Sequence, residues 1–158
     1  MSAIDDLFRD VRRLFTWQSD EVTFRKRDDW RSYAAEVEAG TPIVDDCDAW
    51  SLTCAEVAVR RGIDLARVRV ALCLTEVGQQ AIPPPLFDHM VCLIDGAAAG
   101  ATLALDCRQR AVVTWDRLGY HWHSFMCLDK PGEWRLFADE PETQPVSVVE
   151  IALPVAPV

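Results

Sequence analysis

The spacing of the apolar residues changes once along this chain, and that change limits the fold more than any other feature. Up to Gly62 hydrophobic positions recur at helical spacing; from Val68 onward they alternate. Leu7, Phe8, Val11, Leu14 and Phe15 line one side of a helix expected over 4–15, with Asp5, Arg9, Asp10, Arg12 and Arg13 opposite. After a polar connector with a short strand at Val22 and Phe24, a second helix is expected over 28–39, capped at Asp28 or Asp29 and stopped by Gly40. Pro42 interrupts regularity. A third helix is expected over 46–61, with Asp45 or Asp46 as its cap, Arg60 and Arg61 at its negative end and Gly62 as its stop. Trp50, Cys54, Val57 and Ala58 share one face, and Leu52, Ala55 and Val59 cover much of the rest. So little polar surface marks this as the buried helix.

Strands are expected over 68–75, 89–94 and 101–106, with a short one at 112–115. A hairpin over 122–128 and 133–137 turns at Asp129-Lys130-Pro131-Gly132, and a weak strand over 146–151 precedes a proline-bearing tail. The segment 78–87, with Pro83, Pro84 and Pro85, reads as loop, and 95–100 as a flexible turn. Helices followed by antiparallel strands define an α+β architecture, its sheet covered on one side by the helix that carries Cys47. The 158 residues suffice for one domain over 1–158: N-terminal helices in 1–40, the core in 41–137, and a C-terminal strand and tail in 138–158.

A net charge of −9 argues against nucleic acid and anionic membrane as partners, since both need clustered Lys and Arg. The N-terminus is acidic with no apolar segment after it, and no apolar run reaches membrane-spanning length, so a cytoplasmic protein is expected. There the six cysteines would be reduced. They contain no C-x-x-C pair, and most are expected to be small buried hydrophobes. His121 and His123 alternate on one strand without a third metal ligand, which favours solvent-facing or hydrogen-bonded roles. Trp115, Tyr120, Trp122 and Trp134 are expected to build core and cleft wall.

Cys47 falls at the N-terminal end of the buried helix, where unsatisfied N–H groups and the helix dipole favour thiolate, the nucleophilic form. If 95–100 closes a simple hairpin, Ile94 faces Ala101, partners sum to 195, and His89 faces Asp106 with Cβ atoms roughly 5 Å apart. Cysteine, histidine and aspartate in that order form a nucleophile–base–orienter set. The plainer roles are a satisfied core histidine and a turn-forming aspartate.

The segments Asp28-Asp29-Trp30, Asp45-Asp46-Cys47-Asp48-Ala49-Trp50, His89-Met90-Val91 and Leu105-Asp106 resemble the bacterial transglutaminase-like cysteine peptidases. The resemblance spans roughly 30–137. It implies a papain/transglutaminase-like core and a catalytic triad of Cys47 as nucleophile, His89 as general base and acid, and Asp106 as orienting residue. The backbone N–H of Cys47 would serve the oxyanion, and Trp30 is the second donor the resemblance implies, core packing being its alternative. Family members carry Gly-Asp-Cys-Glu/Asp-Asp-Tyr at the nucleophile; here Asp45 replaces the glycine, Ala49 an acidic residue and Trp50 the tyrosine. Some members cleave adhesins in the periplasm and hold calcium beside the nucleophile, which would make Asp46 and Asp48 its ligands, although no cofactor is required. N-capping explains Asp45 and Asp46 as well. Asp45, Asp46 and Asp48 should also raise the thiol pKa unless an imidazolium or a cation compensates. The expected function is a thiol protease or related amidase acting on a peptide or protein substrate through an acyl-enzyme. The alternative is a weak or inactive binding or assembly module on the same fold. Oligomeric state is not readable from these residues.

Overall fold

A computed structural model describes residues 2–19, 30–96 and 100–139. The expected strand at Val22 and Phe24, the caps at Asp28 and Asp29 and the strand over 146–151 lie outside the described residues.

Helix α1 (Ala3–Leu14) begins with a capping box, Ser2 Oγ accepting from the Asp5 N–H at 3.2 Å while the Asp5 carboxylate accepts from the Ser2 N–H at 2.9 Å. It buries Leu7, Phe8 and Val11. The chain runs directly into β1 (Phe15–Trp17), which pairs in parallel with β2 (Ile43–Asp45), Trp17 opposite Asp45. Three-residue strands carry no readable period, so this pair was not visible in the sequence. Helix α2 (Ala34–Ala39) is shorter than the expected 28–39. Residues 30–33 are irregular because Tyr33 is held elsewhere: its N–H donates to Thr53 Oγ1 at 2.9 Å and its hydroxyl to Asp45 Oδ2 at 2.7 Å. Gly40, at φ 70°, closes α2 in the left-handed region.

Helix α3 (Cys47–Arg60) matches the sequence reading, with Asp46 as cap accepting from the Asp48 N–H. Its middle is buried from Asp48 to Ser51 and from Thr53 to Ala55. Phe8 and Phe15 pack edge-on against Trp50, ring centroids 5.5 and 5.3 Å away.

The remaining strands are β3 (Val68–Leu74), β4 (His89–Ile94), β5 (Leu103–Leu105), β6 (Val113–Thr114), β7 (His121–Cys127) and β8 (Arg135–Leu136). They form one sheet in the order β6-β5-β4-β3-β7-β8, with every neighbouring pair antiparallel. The hairpin expected across 129–132 is present as β7–β8. A single helical turn, α4 (Glu76–Gln79), occupies the start of the expected 78–87 loop.

Val68, Val70, Leu72, Met90, Cys92 and Ile94 face the helices. The opposite face is covered too: Ala71, Cys73, Val91, Leu93 and Ala104 pack on Trp115, Leu118, Tyr120, Phe125 and Phe137. The helix that carries Cys47 covers one side of the sheet as expected, the other side packs as well, and β3 and β4 are buried along their whole lengths. The aromatic residues of 115–137 were readable as core, but a strand period cannot assign an irregular segment to a layer.

The β4–β5 register also differs from expectation. Cys92 pairs with Leu105, Leu93 with Ala104 and Ile94 with Leu103, so partners sum to 197 and the connection runs from Asp95 to Thr102. A two-residue shift preserves the face each side chain occupies, whereas a shift of one would have reversed it. His89 and Asp106 thus become diagonal neighbours. Among the described residues no helix is long and apolar enough to cross a membrane.

Candidate active site

Three elements bring the site together. β4 begins at His89, and Asp106 directly follows β5, so both side chains sit at one end of the sheet. Helix α3 brings Cys47 to that end and is bonded to both strands one residue from the site. Trp50 Nε1 donates to the Leu105 carbonyl at 3.1 Å, and Ser51 Oγ donates to the Met90 carbonyl at 2.8 Å. Trp50 therefore supplies a tie between the cysteine helix and the strand leading to Asp106.

His89 Nε2 lies 2.8 Å from Asp106 Oδ1 in a pair that is almost wholly buried. Diagonal cross-strand neighbours lie about 7–8 Å apart at Cα, a gap that an imidazole and a carboxylate bridge. Asp106 also accepts the Arg108 N–H on Oδ1 at 2.9 Å and the Tyr120 hydroxyl on Oδ2 at 2.8 Å. Burial alone would raise its pKa, but the His89 hydrogen bond and charge, together with the Arg108 and Tyr120 donors, hold it below the ordinary carboxylate value. The Tyr120 ring stands edge-on to His89 at 5.8 Å. Tyr120 and Arg108 were missed as site residues because both lie in irregular segments; adjacency to Asp106 was the only signal for Arg108.

Cys47 is half-buried. Its pKa is pushed up to about 12, first by burial and then by the charges of Asp46 and Asp48, while a hydrogen bond from the Met90 backbone acts the other way. The helix end alone does not make this thiol a thiolate. Cys47, Asp88 and His89 line both lobes of a cleft. The larger lobe, about 390 Å³, also has Trp17, Thr75, Val77, Cys107 and Arg108 on its wall. The smaller, about 220 Å³, is bounded by Trp30, Asp46, Asp48 and Phe87 among others. Trp30 is 45% exposed and meets Trp134 edge-on at 5.8 Å, so it belongs to the cleft rim and not to the core. Asp88 is fixed by Thr75, whose N–H and hydroxyl donate to its two oxygens at 2.7 and 2.6 Å.

The carboxylates of Asp45, Asp46 and Asp48 converge, with ligand oxygens within 4.8 Å of one another. Hard oxygens are what calcium takes, so the cluster fits that ion in kind, and backbone carbonyls and water would have to complete a shell of six to eight. Asp45 is fully buried and accepts both the Tyr33 hydroxyl and the Asp46 N–H. His123 contacts Ser124 Oγ at 3.0 Å and lies at the β7 bulge between the pairings of Leu72 and Cys73; His121 is exposed.

The α+β sheet, with a cysteine-bearing helix across one face and a cleft lined by Cys47 and His89 at its end, shares its fold with solved structures. The chain is similar to LapG of Legionella pneumophila. The calcium-bound structure of that protein matches over 84% of this chain and 66% of LapG, with a TM-score of 0.61 and 16% identity. Another LapG structure matches over 90% and 72% with a TM-score of 0.61 and 15% identity, and an EGTA-treated one over 86% and 71% with a TM-score of 0.56 and 14% identity. The chain thus spans about two thirds of LapG's length, and at these identities the likeness fixes the fold. No protein-family model and no curated protein matches the sequence.

Proposed function

We propose that this chain is a cysteine-dependent amide hydrolase of transglutaminase-like type, acting on a peptide or protein as a single domain. The observation that carries the proposal is the buried His89–Asp106 pair opening onto the same two cavity lobes as Cys47. With Nε2 committed to Asp106, Nδ1 is left to take the Cys47 proton. The sulfur attacks the substrate carbonyl, the amine leaves with a proton from His89, and water, deprotonated by the same imidazole, releases the acyl group. Cys47 and His89 stand where the lobes meet, which suits an extended chain with acyl and amine sides in different lobes. The Cys47 N–H and Trp30 on the rim are the proposed oxyanion donors. Acyl transfer to an amine would use the same intermediate.

Because the thiol pKa is raised, attack would draw on general-base transfer at the moment of reaction and not on a preformed thiolate. Calcium, where bound, would be held by Asp46 and Asp48 with Asp45, and would offset the negative charge beside Cys47. A cytoplasmic setting, where all six cysteines would stay reduced, is part of this proposal.

The second reading, a weak or inactive binding module, is favoured by that same raised pKa. Iodoacetamide labelling followed by peptide mass spectrometry separates the two. The hydrolase reading expects Cys47 to be alkylated fastest of the six thiols, at a rate that rises with pH and falls at least tenfold in His89→Ala. Equal, slow labelling of all six, unchanged by His89→Ala, would sink it.

A further inference from the structure

The cleft contains a second cluster, different in chemistry from the carboxylates. The ligand atoms of His89, Asp106 and Cys107 all lie within 4.8 Å of one another. Cys107 and His89 both line the larger lobe, so an ion has a route from solvent. One sulfur, one imidazole nitrogen and one carboxylate oxygen form a borderline-soft set that suits zinc and not calcium. Tetrahedral zinc with sulfur at about 2.3 Å and nitrogen near 2.0 Å needs ligand atoms roughly 3.5 Å apart. The His89–Asp106 pair, at 2.8 Å, has to open by about half an ångström, and the Cys107 sulfur, within 4.8 Å of both, has at most about an ångström to move in. We propose that His89, Asp106 and Cys107 form an inhibitory zinc site, with a water from the lobe as fourth ligand.

The chemistry is an exchange of zinc for protons. Zinc takes the place of the hydrogen between His89 Nε2 and Asp106 Oδ1, and the neutral imidazole keeps its proton on Nδ1 instead. Cys107 loses its thiol proton to solvent, so about one proton is released per ion bound. A ring with zinc on Nε2 and hydrogen on Nδ1 has no lone pair left for the Cys47 proton. Cys47 itself is not a ligand. Inhibition rests on the proposed hydrolase reading; binding does not.

The test uses the full reduced chain with cobalt(II) as a coloured probe and zinc as competitor. The expected result is one ion per chain, a thiolate-to-cobalt charge-transfer band displaced by zinc, and about one proton released in calorimetry across buffers of differing ionisation enthalpy. Cys107→Ser and His89→Ala should each weaken binding at least tenfold, Cys107→Ser also losing the band, while Cys47→Ala keeps both within threefold. X-ray absorption at the zinc edge of the unsubstituted protein should give one sulfur among nitrogen and oxygen ligands, which requires no variant to fold. No binding at micromolar zinc, a shell with no sulfur or two, or affinity unaltered by Cys107→Ser would overturn the proposal. Where the protein hydrolyses a peptide, Cys107→Ser should need at least tenfold more zinc for half-inhibition. Zinc bound as described without inhibition would instead count against the hydrolase reading and leave the site standing.

Discussion

Asp45 and Asp106 are the same residue in nearly the same setting. Each is fully buried, and each accepts one tyrosine hydroxyl and one backbone N–H: Tyr33 and Asp46 for the first, Tyr120 and Arg108 for the second. They differ in the third neighbour. Asp106 has an imidazole at 2.8 Å, whereas Asp45 has the carboxylates of Asp46 and Asp48 within 4.8 Å. A buried carboxylate paired with a titratable base can orient that base and stabilise its charge. Asp45 has no such base to orient, and the two carboxylates beside it, Asp46 and Asp48, add negative potential at Cys47.

Neutralising each aspartate in turn tests that difference most directly. Asp106→Asn keeps the shape but cannot stabilise an imidazolium, and kcat on a peptide substrate should fall by on the order of 10²–10⁴. Asp45→Asn should leave kcat within about tenfold, because no His89 contact is lost. Equal losses in the two variants would remove the distinction.

The His89–Asp106 pairing was legible because its derivation depended on parity. The turn length was misread by two residues, yet an even error keeps both side chains on one face. Helix α3 was legible through its period and its cap. The Asp45 assembly was not, since Tyr33 reaches it from an irregular segment and β2 is too short to announce itself. Tyr120 was legible as core or cleft wall, but its bond to Asp106 was not, because Tyr120 too lies in an irregular segment. Periodicity reports faces of regular elements, and it is silent where a loop folds back onto a site.

Alkaline pH probes the buried thiols. Burial first, with nearby carboxylates adding for Cys47 and Cys73, raises the pKa of Cys47, Cys54, Cys73 and Cys92 above the ordinary value near 9. Above that pH the unfolded chain loses protons that the native state keeps, so stability falls as pH rises, for Cys47 until about 12. The slope should reach on the order of 1 kcal/mol per pH unit for each fully buried thiol. Urea unfolding at pH 8, 9 and 10 measures it, and a flat profile would mean that these thiols are not protonated and buried.

The two tyrosines give a finer contrast. Tyr120→Phe removes one of three donors to Asp106 and should lower kcat several-fold while shifting the pH profile. Tyr33→Phe should lower unfolding stability by about 1 kcal/mol and leave that profile in place. A shift of the profile in both variants would show that Asp45 also acts on the reacting groups.

The smallest expected effect isolates the charge beside the nucleophile. Asp46→Asn preserves the helix cap, since asparagine caps as well as aspartate, and Asp48→Asn is likewise isosteric. Each removes one of the two named charges that raise the Cys47 pKa, so the thiolate fraction near neutral pH should increase. Iodoacetamide alkylation of Cys47 should then quicken a few-fold in either variant and further in the pair. In the unsubstituted protein, added calcium should produce the same acceleration and EGTA should reverse it, whereas the double variant should respond to neither. An acceleration by substitution without any response to calcium would assign the three carboxylates to capping and packing, and would leave general-base transfer to His89 as the only means of activating this thiol.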